Sequence, residues 1–272
     1  MIKLIAIDLD GTLLNDAKEV DPESIRAIHS AQKQGVKVVL CTGRPYLAMK
    51  NLVAKIGFSD EDYIAVFNGG QIRKAQSGEL VYRNDLSRED MLAWVQECQR
   101  LNLPLNVIDD EWVYEPLSYP KDYPSQYVKK LTTAPSKQVD FESFGPDQVF
   151  NKFVINVDAD HLDRQLKIIR QEMVGEYSLS RSYPFQLEIM ARGVHKGLAL
   201  IQLGQLLSID LADMVGIGDQ GNDLPLLETA GHPVAMGNAI PKVKDLAEYV
   251  TTTNNKAGVA QAIDYYLNLQ AK

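Results

Sequence analysis

Apolar residues cluster in short unbroken runs near both ends of the chain and in mixed patterns through its middle. Ile2 to Ile7 carries a single Lys among apolar positions, the pattern of a strand buried on both faces of a parallel sheet. Val36–Cys41, Tyr63–Phe67, Met214–Ile217 and Pro233–Met236 repeat that pattern. Helical periodicity fills the gaps. Asp21-Pro22-Glu23 reads as an N-cap with Pro in the first turn, Ile25, Ala27, Ile28 and Ala31 form an apolar stripe, and Gly35 ends the helix. Further helices are predicted from about Tyr46 to Ile56, from Lys196 to Leu207, around Leu226 and Leu227, near Pro241–Glu248 and over Gly258–Leu269. This alternation predicts a doubly wound α/β core with right-handed crossovers.

The rhythm breaks in the middle. Gln71 to Arg83 reads as a hairpin turning at Gln76-Ser77-Gly78. Ser87-Arg88-Glu89-Asp90 opens a helix as a capping motif, with Met91, Trp94, Val95 and Cys98 on its apolar face. Short strands follow near Leu105–Ile108 and Trp112–Tyr114, then a Tyr- and Pro-rich loop at Tyr119–Tyr127. Phe153–Val157 reads as a strand, His161–Met173 as one helix, and Tyr177–Ser182 with Phe185–Met190 as a hairpin. The fold class expected is therefore α/β, a doubly wound (Rossmann-like) parallel-sheet core of residues 1–83 and 192–272 with an inserted α+β domain at 84–191. No internal repeat or low-complexity segment interrupts it.

Composition narrows the function classes. With 272 residues, 45% of them hydrophobic, the chain can bury a full core. A net charge of −8 and a pI near 5.1 disfavour a nucleic-acid surface, which calls for a basic footprint. An acidic protein that handles a phosphate ester needs a cation to offset its own field. Cys41 and Cys98 stand far apart in apolar surroundings, which fits reduced thiols and gives no zinc pattern. With no signal-peptide pattern and no stretch near the roughly 20 residues of a membrane span, a cytoplasmic protein without a membrane partner is expected.

The candidate chemistry lies where the apolar runs stop. Asp8 and Asp10, spaced i and i+2, should leave their strand on the same side, and Gly11 lets the chain turn behind them. Two acids at a strand's carboxyl end occupy the usual ligand position of an open α/β sheet, and unpaired they would repel, so a cation or a shared proton is needed. A calcium loop is not expected, because Leu13 and Leu14 follow the turn where such a loop needs further oxygen ligands. Thr42-Gly43-Arg44 and Asn68-Gly69-Gly70 close the next two strands, Lys196 opens a helix, and Gly218-Asp219-Gln220-Gly221-Asn222-Asp223 follows a later strand. Each has an ordinary explanation: a solvated Lys, a capping Thr, an acidic turn. His195 is read as a bystander. A Lys at a helix N-terminus opposes the helix dipole, a conflict that an anion bound between them would remove. Together, several carboxylates, an amine and a hydroxyl at matching strand ends suit Mg²⁺-assisted phosphoryl transfer, with a carboxylate as nucleophile.

On these residues the chain resembles the haloacid dehalogenase superfamily, and within it the Cof-type sugar phosphatases with a type IIB cap. The resemblance rests on Asp8-Leu9-Asp10-Gly11-Thr12-Leu13-Leu14, Thr42-Gly43-Arg44, Asn68-Gly69-Gly70, Lys196-Gly197 and the segment Gly218 to Asp223. It implies Asp8 as nucleophile and Asp10 as general acid and base. It places Mg²⁺ on Asp8, Asp10 (through its backbone carbonyl) and Asp219, with Asp223 in support. The phosphoryl group falls to the Leu9 amide, Thr42, Gly43, Lys196 and Asn222, and Arg44 and Asn68 are expected at the phosphate or substrate. The insert becomes the cap.

Two other functions fit the same residues. A hexose phosphomutase would share core and cap but return the phosphoryl group to its substrate, and a non-catalytic phosphate-ester-binding regulator would have no reason to keep Asp10 and Lys196 together. The substrate expected is a small phosphorylated metabolite, a sugar phosphate. Its discrimination is assigned to the insert, with Glu188, a charge inside the apolar run Phe185–Met190, and Arg181 as the named contacts.

Overall fold

The computed structural model describes residues 1–130 and 134–270. The chain divides into two compact units. The first holds Met1–Arg44, Lys50–Arg83 and the residues from His195 on, and the second holds Pro45–Met49 and Asn84–Val194.

The first unit opens with β1 (Leu4–Asp8), α1 (Pro22–Lys33), β2 (Lys37–Cys41), α2 (Lys50–Ile56), β3 (Tyr63–Val66), β4 (Gln71–Lys74) and β5 (Leu80–Arg83). The second unit runs through α3 (Arg88–Arg100), β6 (Asn106–Ile108), β7 (Val113–Pro116), α4 (Tyr127–Lys130), β8 (Ser136–Val139), β9 (Lys152–Asn156), α5 (Ala159–Leu166), α6 (Gln171–Glu176), β10 (Tyr177–Tyr183) and β11 (Gln186–Ala191). The first unit then resumes with α7 (Lys196–Leu207), β12 (Met214–Gly218), α8 (Leu224–Thr229), β13 (His232–Ala235), α9 (Pro241–Leu246), β14 (Tyr249–Val250) and α10 (Gly258–Gln270).

Among the described residues the first unit forms one sheet in the order β14-β13-β12-β1-β2-β3-β4-β5. It is parallel from β14 to β3, and β4 and β5 add an antiparallel edge. β1 lies between β12 and β2, with Leu4 opposite both Met214 and Lys37. A strand paired on both edges and covered on both faces favours apolar residues, as at Leu4 to Ile7, and all five residues of β1, Asp8 at its end included, are buried. The chain leaves β1 toward β2 on one side and returns through β12 on the other, so the reversal of strand order falls beside β1. Crevices outside strand ends at such a reversal are where ligands bind in open α/β sheets. α1 begins as its sequence dictates: Asp21 accepts a hydrogen bond from the Glu23 amide at 2.7 Å and Pro22 occupies the first turn.

In the second unit the sheet order is β10-β11-β9-β6-β7-β8. Its pairs are antiparallel except β7 with β8. The Ser87 capping box is present, with Asp90 at its third position. Trp94 is fully buried and meets Tyr177 edge-on at 5.5 Å. On the β9 and β11 strands, Lys152, Asn156, Gln186 and Glu188 share one face.

Two predicted helices differ in the structure. The Tyr46–Ile56 segment is a 3₁₀ turn at Tyr46–Ala48 followed by α2. The single helix expected over His161–Met173 is split into α5 and α6. Arg170 takes an extended conformation, and its backbone N–H donates to Glu97 Oε1 at 3.0 Å. A buried carboxylate has captured an amide that a continuous helix would use internally. Among the described residues no helix is long and apolar enough to cross a membrane.

Candidate active site

Three neighbouring strand ends of the first unit carry the acidic and hydroxyl-bearing loops. β1 ends at Asp8, β2 runs into Thr42, and β12 runs into Asp219. Asp8 and Cys41 are register partners, which sets the Thr42 loop beside the Asp8 loop. The first residue of α7, Lys196, reaches the same point: its Nζ lies 2.5 Å from Asp8 Oδ1 and 2.5 Å from Asp223 Oδ1. Lys196 is only 1% exposed, so this amine is no surface charge. Its neighbour Gly197 is needed for the approach, because a Cβ there would lie 2.3 Å from the Pro225 carbonyl oxygen of α8.

The Asp219 loop is locked from within. Asp223 Oδ2 accepts from the amides of Asp219 and Gln220, each at 2.9 Å, and Asp219 Oδ1 accepts from the Thr12 hydroxyl at 3.0 Å. Asn222 lies half-buried in the same turn. Gly11 has φ +85°, and a Cβ on it would sit 2.5 Å from Asp219 Oδ2. The glycine behind the first acids is thus dictated both by its backbone angle and by the second acidic loop.

Thr42 and Asn68 are both buried. The Thr42 hydroxyl accepts from the Arg44 amide at 3.2 Å, and its carbonyl accepts from the Asn68 amide at 2.9 Å. Phe67 and Asn68 both adopt left-handed backbone angles, φ 52° and 56°, ahead of Gly69 at 89°. Such strain in a bulky residue marks a segment held by its surroundings. It presses the Asn68 carboxamide to 3.0 Å from the Cβ position of Gly43.

Charge explains how the acids differ. Burial pushes the Asp8 carboxyl up to about 8, and Asp223 adds to the rise while Lys196 opposes it. Burial and Asp223 likewise push Asp219 up to about 6. For Lys196, burial acts to lower the value, but Asp223 and Asp8 outweigh it and hold the amine above its ordinary range. Asp10 is the exception. Burial acts to raise it, but the Arg44 guanidinium, bound at 2.9 and 2.6 Å, and the Lys18 amine at 3.1 Å hold it below the usual carboxylate range. His195 caps α7, its Nδ1 accepting from the Leu198 amide at 3.2 Å, and burial lowers its pKa.

Asp8, Asp219 and Asp223 offer carboxylate oxygens that lie within 4.8 Å of one another. The set is all oxygen, buried and short of positive charge, since Lys196 is the one cation hydrogen-bonded to it among the described residues. Those properties fit a hard divalent cation. Asp10 differs from the other three, its side chain being turned to Arg44 and Lys18.

The structure brings together Asp8, Asp10, Thr42, Arg44, Asn68, Lys196, Asp219 and Asp223 within the first unit. Glu188 and Arg181 belong to the second unit. Glu188 is buried there, its carboxylate accepting from Lys152 at 3.0 Å and from Gln186 at 3.2 Å. Arg181 pairs with Asp163 and with the Pro184 carbonyl. Sequence reasoning assigned no role to Thr12 or Lys18. Thr12 follows directly on the acidic motif, a signal that was available, whereas an exposed Lys18 in a loop gave none.

A family model described as haloacid dehalogenase-like hydrolase matches residues 5–263, and the chain belongs to that family. It is 36% identical over 264 residues to YxeH of Bacillus subtilis (strain 168), a protein whose name classes it provisionally as a phosphatase, with 97% of each chain covered. It is 29% identical over 269 residues to YcsE of the same organism, named as a 5-amino-6-(5-phospho-D-ribitylamino)uracil phosphatase, covering 98% of this chain and 96% of that one. Among solved structures, a haloacid dehalogenase-like hydrolase from Bacteroides thetaiotaomicron superposes with a TM-score of 0.82 at 31% identity, covering 98% of this chain and all of the other. The subclass IIB sugar phosphatase BT4131 shares the fold, with a TM-score of 0.78 at 24% identity over 97% of this chain and 98% of that one. The chain is thus a hydrolase of the phosphatase kind.

Proposed function

We propose that this member of the family hydrolyses small phosphate monoesters, sugar phosphates above all, with Mg²⁺ and through an aspartyl-phosphate intermediate on Asp8. The observation that carries this reading is the position of Asp8: buried at the central strand end, held by Lys196, and flanked by Asp219, Asp223 and the Thr42 loop. Mg²⁺ would be held by Asp8, the Asp10 carbonyl and Asp219 with Asp223 in support, and it supplies positive charge that offsets repulsion between carboxylate and phosphate. The Asp8 carboxylate attacks phosphorus, forming an acyl–phosphate bond while the bond to the leaving oxygen breaks. Asp10 gives its proton to that oxygen, then takes one from the water that attacks the aspartyl phosphate and releases inorganic phosphate. Carrying a proton, Asp10 gives up the ionic attraction of Arg44 and Lys18. Lys196, the Leu9 amide, Thr42, Gly43 and Asn222 hold the phosphoryl oxygens, with Arg44 and Asn68 beside them.

We place the reading of the leaving group in the second unit, with Glu188 and Arg181 as contributors. The named activity of YcsE, on a phosphorylated ribityl compound, supports a polyol phosphate as the substrate class. The free and buried state of Cys41 and Cys98 supports a reducing, cytoplasmic setting. The deciding experiment is a screen of phosphorylated metabolites for inorganic phosphate release with Mg²⁺. Release from sugar phosphates without any bisphosphate activator supports hydrolysis. Isomerised sugar phosphate without free phosphate would replace the reading with a mutase.

A further inference from the structure

The loop that leaves Asp10 is held by two asparagines from the far end of the chain. The Asn238 side chain uses both ends of its amide: Nδ2 donates to the Gly11 carbonyl at 2.8 Å, and Oδ1 accepts from the Asn254 N–H at 3.0 Å. One partner is a carbonyl and the other an N–H, so only one orientation of the amide satisfies both. Asn254 Nδ2 in turn donates to the Leu14 carbonyl at 3.0 Å. The two carboxamides therefore grip the segment Gly11–Leu14 near its start and at its end.

The same turn grips the second acidic loop. Two residues past Asn238, the Ile240 N–H donates to the Asp219 carbonyl at 3.0 Å, and the Met236 N–H donates to that of Gly218 at 3.0 Å. Residues 236–240 thus bridge the loop that follows Asp8 and Asp10 to the loop that carries Asp219. Gly11 touches both partners, its carbonyl held by Asn238 and its α-carbon set against the Asp219 carboxylate. Main-chain bonds of the turn fix one loop, and the Asn238 carboxamide is the link to the other.

We propose that Asn238 is a positioning residue, which sets the register between the Asp8–Asp10 loop and Asp219 and so the spacing of the carboxylates offered to the cation. Its catalytic consequence rests on the phosphatase reading given above. The clamp itself is a property of the metal-free protein.

Hydrogen exchange of the metal-free protein tests the clamp directly, with Asn238→Ala and Asn238→Asp compared with wild type. The Asp variant keeps an acceptor for the Asn254 N–H but cannot donate to Gly11. Both variants should speed exchange across residues 9–16 by roughly fivefold, the worth of one hydrogen bond, and leave the rest of the first unit unchanged. With p-nitrophenyl phosphate, kcat should fall roughly fivefold to tenfold and the half-activating Mg²⁺ concentration should rise in step, with KM nearly constant. Unchanged exchange in residues 9–16, acceleration spread over the whole unit, or failure of both variants to fold would overturn the positioning role. A wild-type protein that releases no phosphate would sink the phosphatase reading alone, because the exchange result decides the clamp by itself.

Discussion

Gly11 and Asp219 lie so close that a single added methyl group would stand 2.5 Å from the Asp219 carboxylate. The turn behind the first acids and the second acidic loop are therefore one packed object. Gly11→Ala should push Asp219 aside and also place Ala at φ +85°. The backbone cost is about 1–2 kcal/mol, and displacing a carboxylate of the proposed cation site should cost about 10²-fold in kcat. Thermal unfolding and phosphate release measure the two effects, and an alanine variant with normal turnover would show that Asp219 has freedom to yield.

Asp8→Asn should bring turnover to background while the protein stays folded. In the metal-free protein the substitution removes a carboxylate that burial and Asp223 push up to about 8, so stability without Mg²⁺ should not fall. Added Mg²⁺ should then raise the unfolding midpoint of wild type and not that of the variant. A variant with near-normal hydrolysis would remove Asp8 from the role of nucleophile.

Asp10→Asn should slow the reaction by roughly 10² to 10⁴-fold for sugar phosphates, whose alkoxide leaving groups need a proton. The loss should be smaller in the first half-reaction of p-nitrophenyl phosphate, whose leaving group scarcely needs one. Equal losses in burst-phase measurements on both substrates would contradict the acid role.

Glu97 gives a pH prediction for the second unit. Its carboxylate is held below the ordinary range by Arg100, bound at 3.0 and 2.6 Å, and by the backbone and guanidinium of Arg170. A depressed carboxylate adds stability that is present above its unfolded value, about 4.3, and is lost as pH falls through the folded value. Glu97→Gln should therefore cost about 2 kcal/mol at neutral pH, and the difference should shrink below about pH 4. Urea unfolding at pH 7 and pH 3 makes the comparison, and a difference independent of pH would refute the assignment.

Glu188→Gln replaces the carboxylate that lies 3.0 Å from the buried Lys152 amine with a neutral amide. Burial acts to lower the Lys152 pKa, and Glu188 and Tyr127 together more than offset it. The single variant should lose about 3 kcal/mol, and joint replacement by Lys152→Met with Glu188→Leu should recover most of that. If the pair also helps read the leaving group, the order of preference among sugar phosphates should change in the joint variant while hydrolysis of p-nitrophenyl phosphate stays the same. One common loss for every substrate would assign the pair to structure alone.

The core was legible because its chemistry coincides with abrupt changes in local pattern. Asp8, Thr42 and Asp219 each stand where a largely apolar run meets a polar turn, and buried parallel strands write such runs plainly. Lys196 was legible only in company, since a Lys at a helix start is usually solvated. What the sequence hid depends on distant partners. The break at Arg170 comes from Glu97, 73 residues earlier, and no local propensity announces it. β8 is a half-exposed run, Ser136–Val139, and β14 has two residues, so neither carries a period to detect. The Lys18 and Arg44 contacts to Asp10 were equally invisible, because charge pairing through space leaves no spacing rule.

The central strand pairs with β2, which follows it within a few dozen residues, and with β12, which lies beyond the entire second unit. Lys196 meets Asp8 across 188 residues, and Thr12 meets Asp219 across 207. Closing loops of that length is slow, and it cannot begin on a chain still being synthesised until the distal partners have emerged. A nascent chain can thus assemble β1, β2 and β3 and complete its second unit while still lacking the amine and the acids that surround Asp8. Enzymatic competence arrives last, once the segment from Lys196 to Asp223 has closed onto the end of β1.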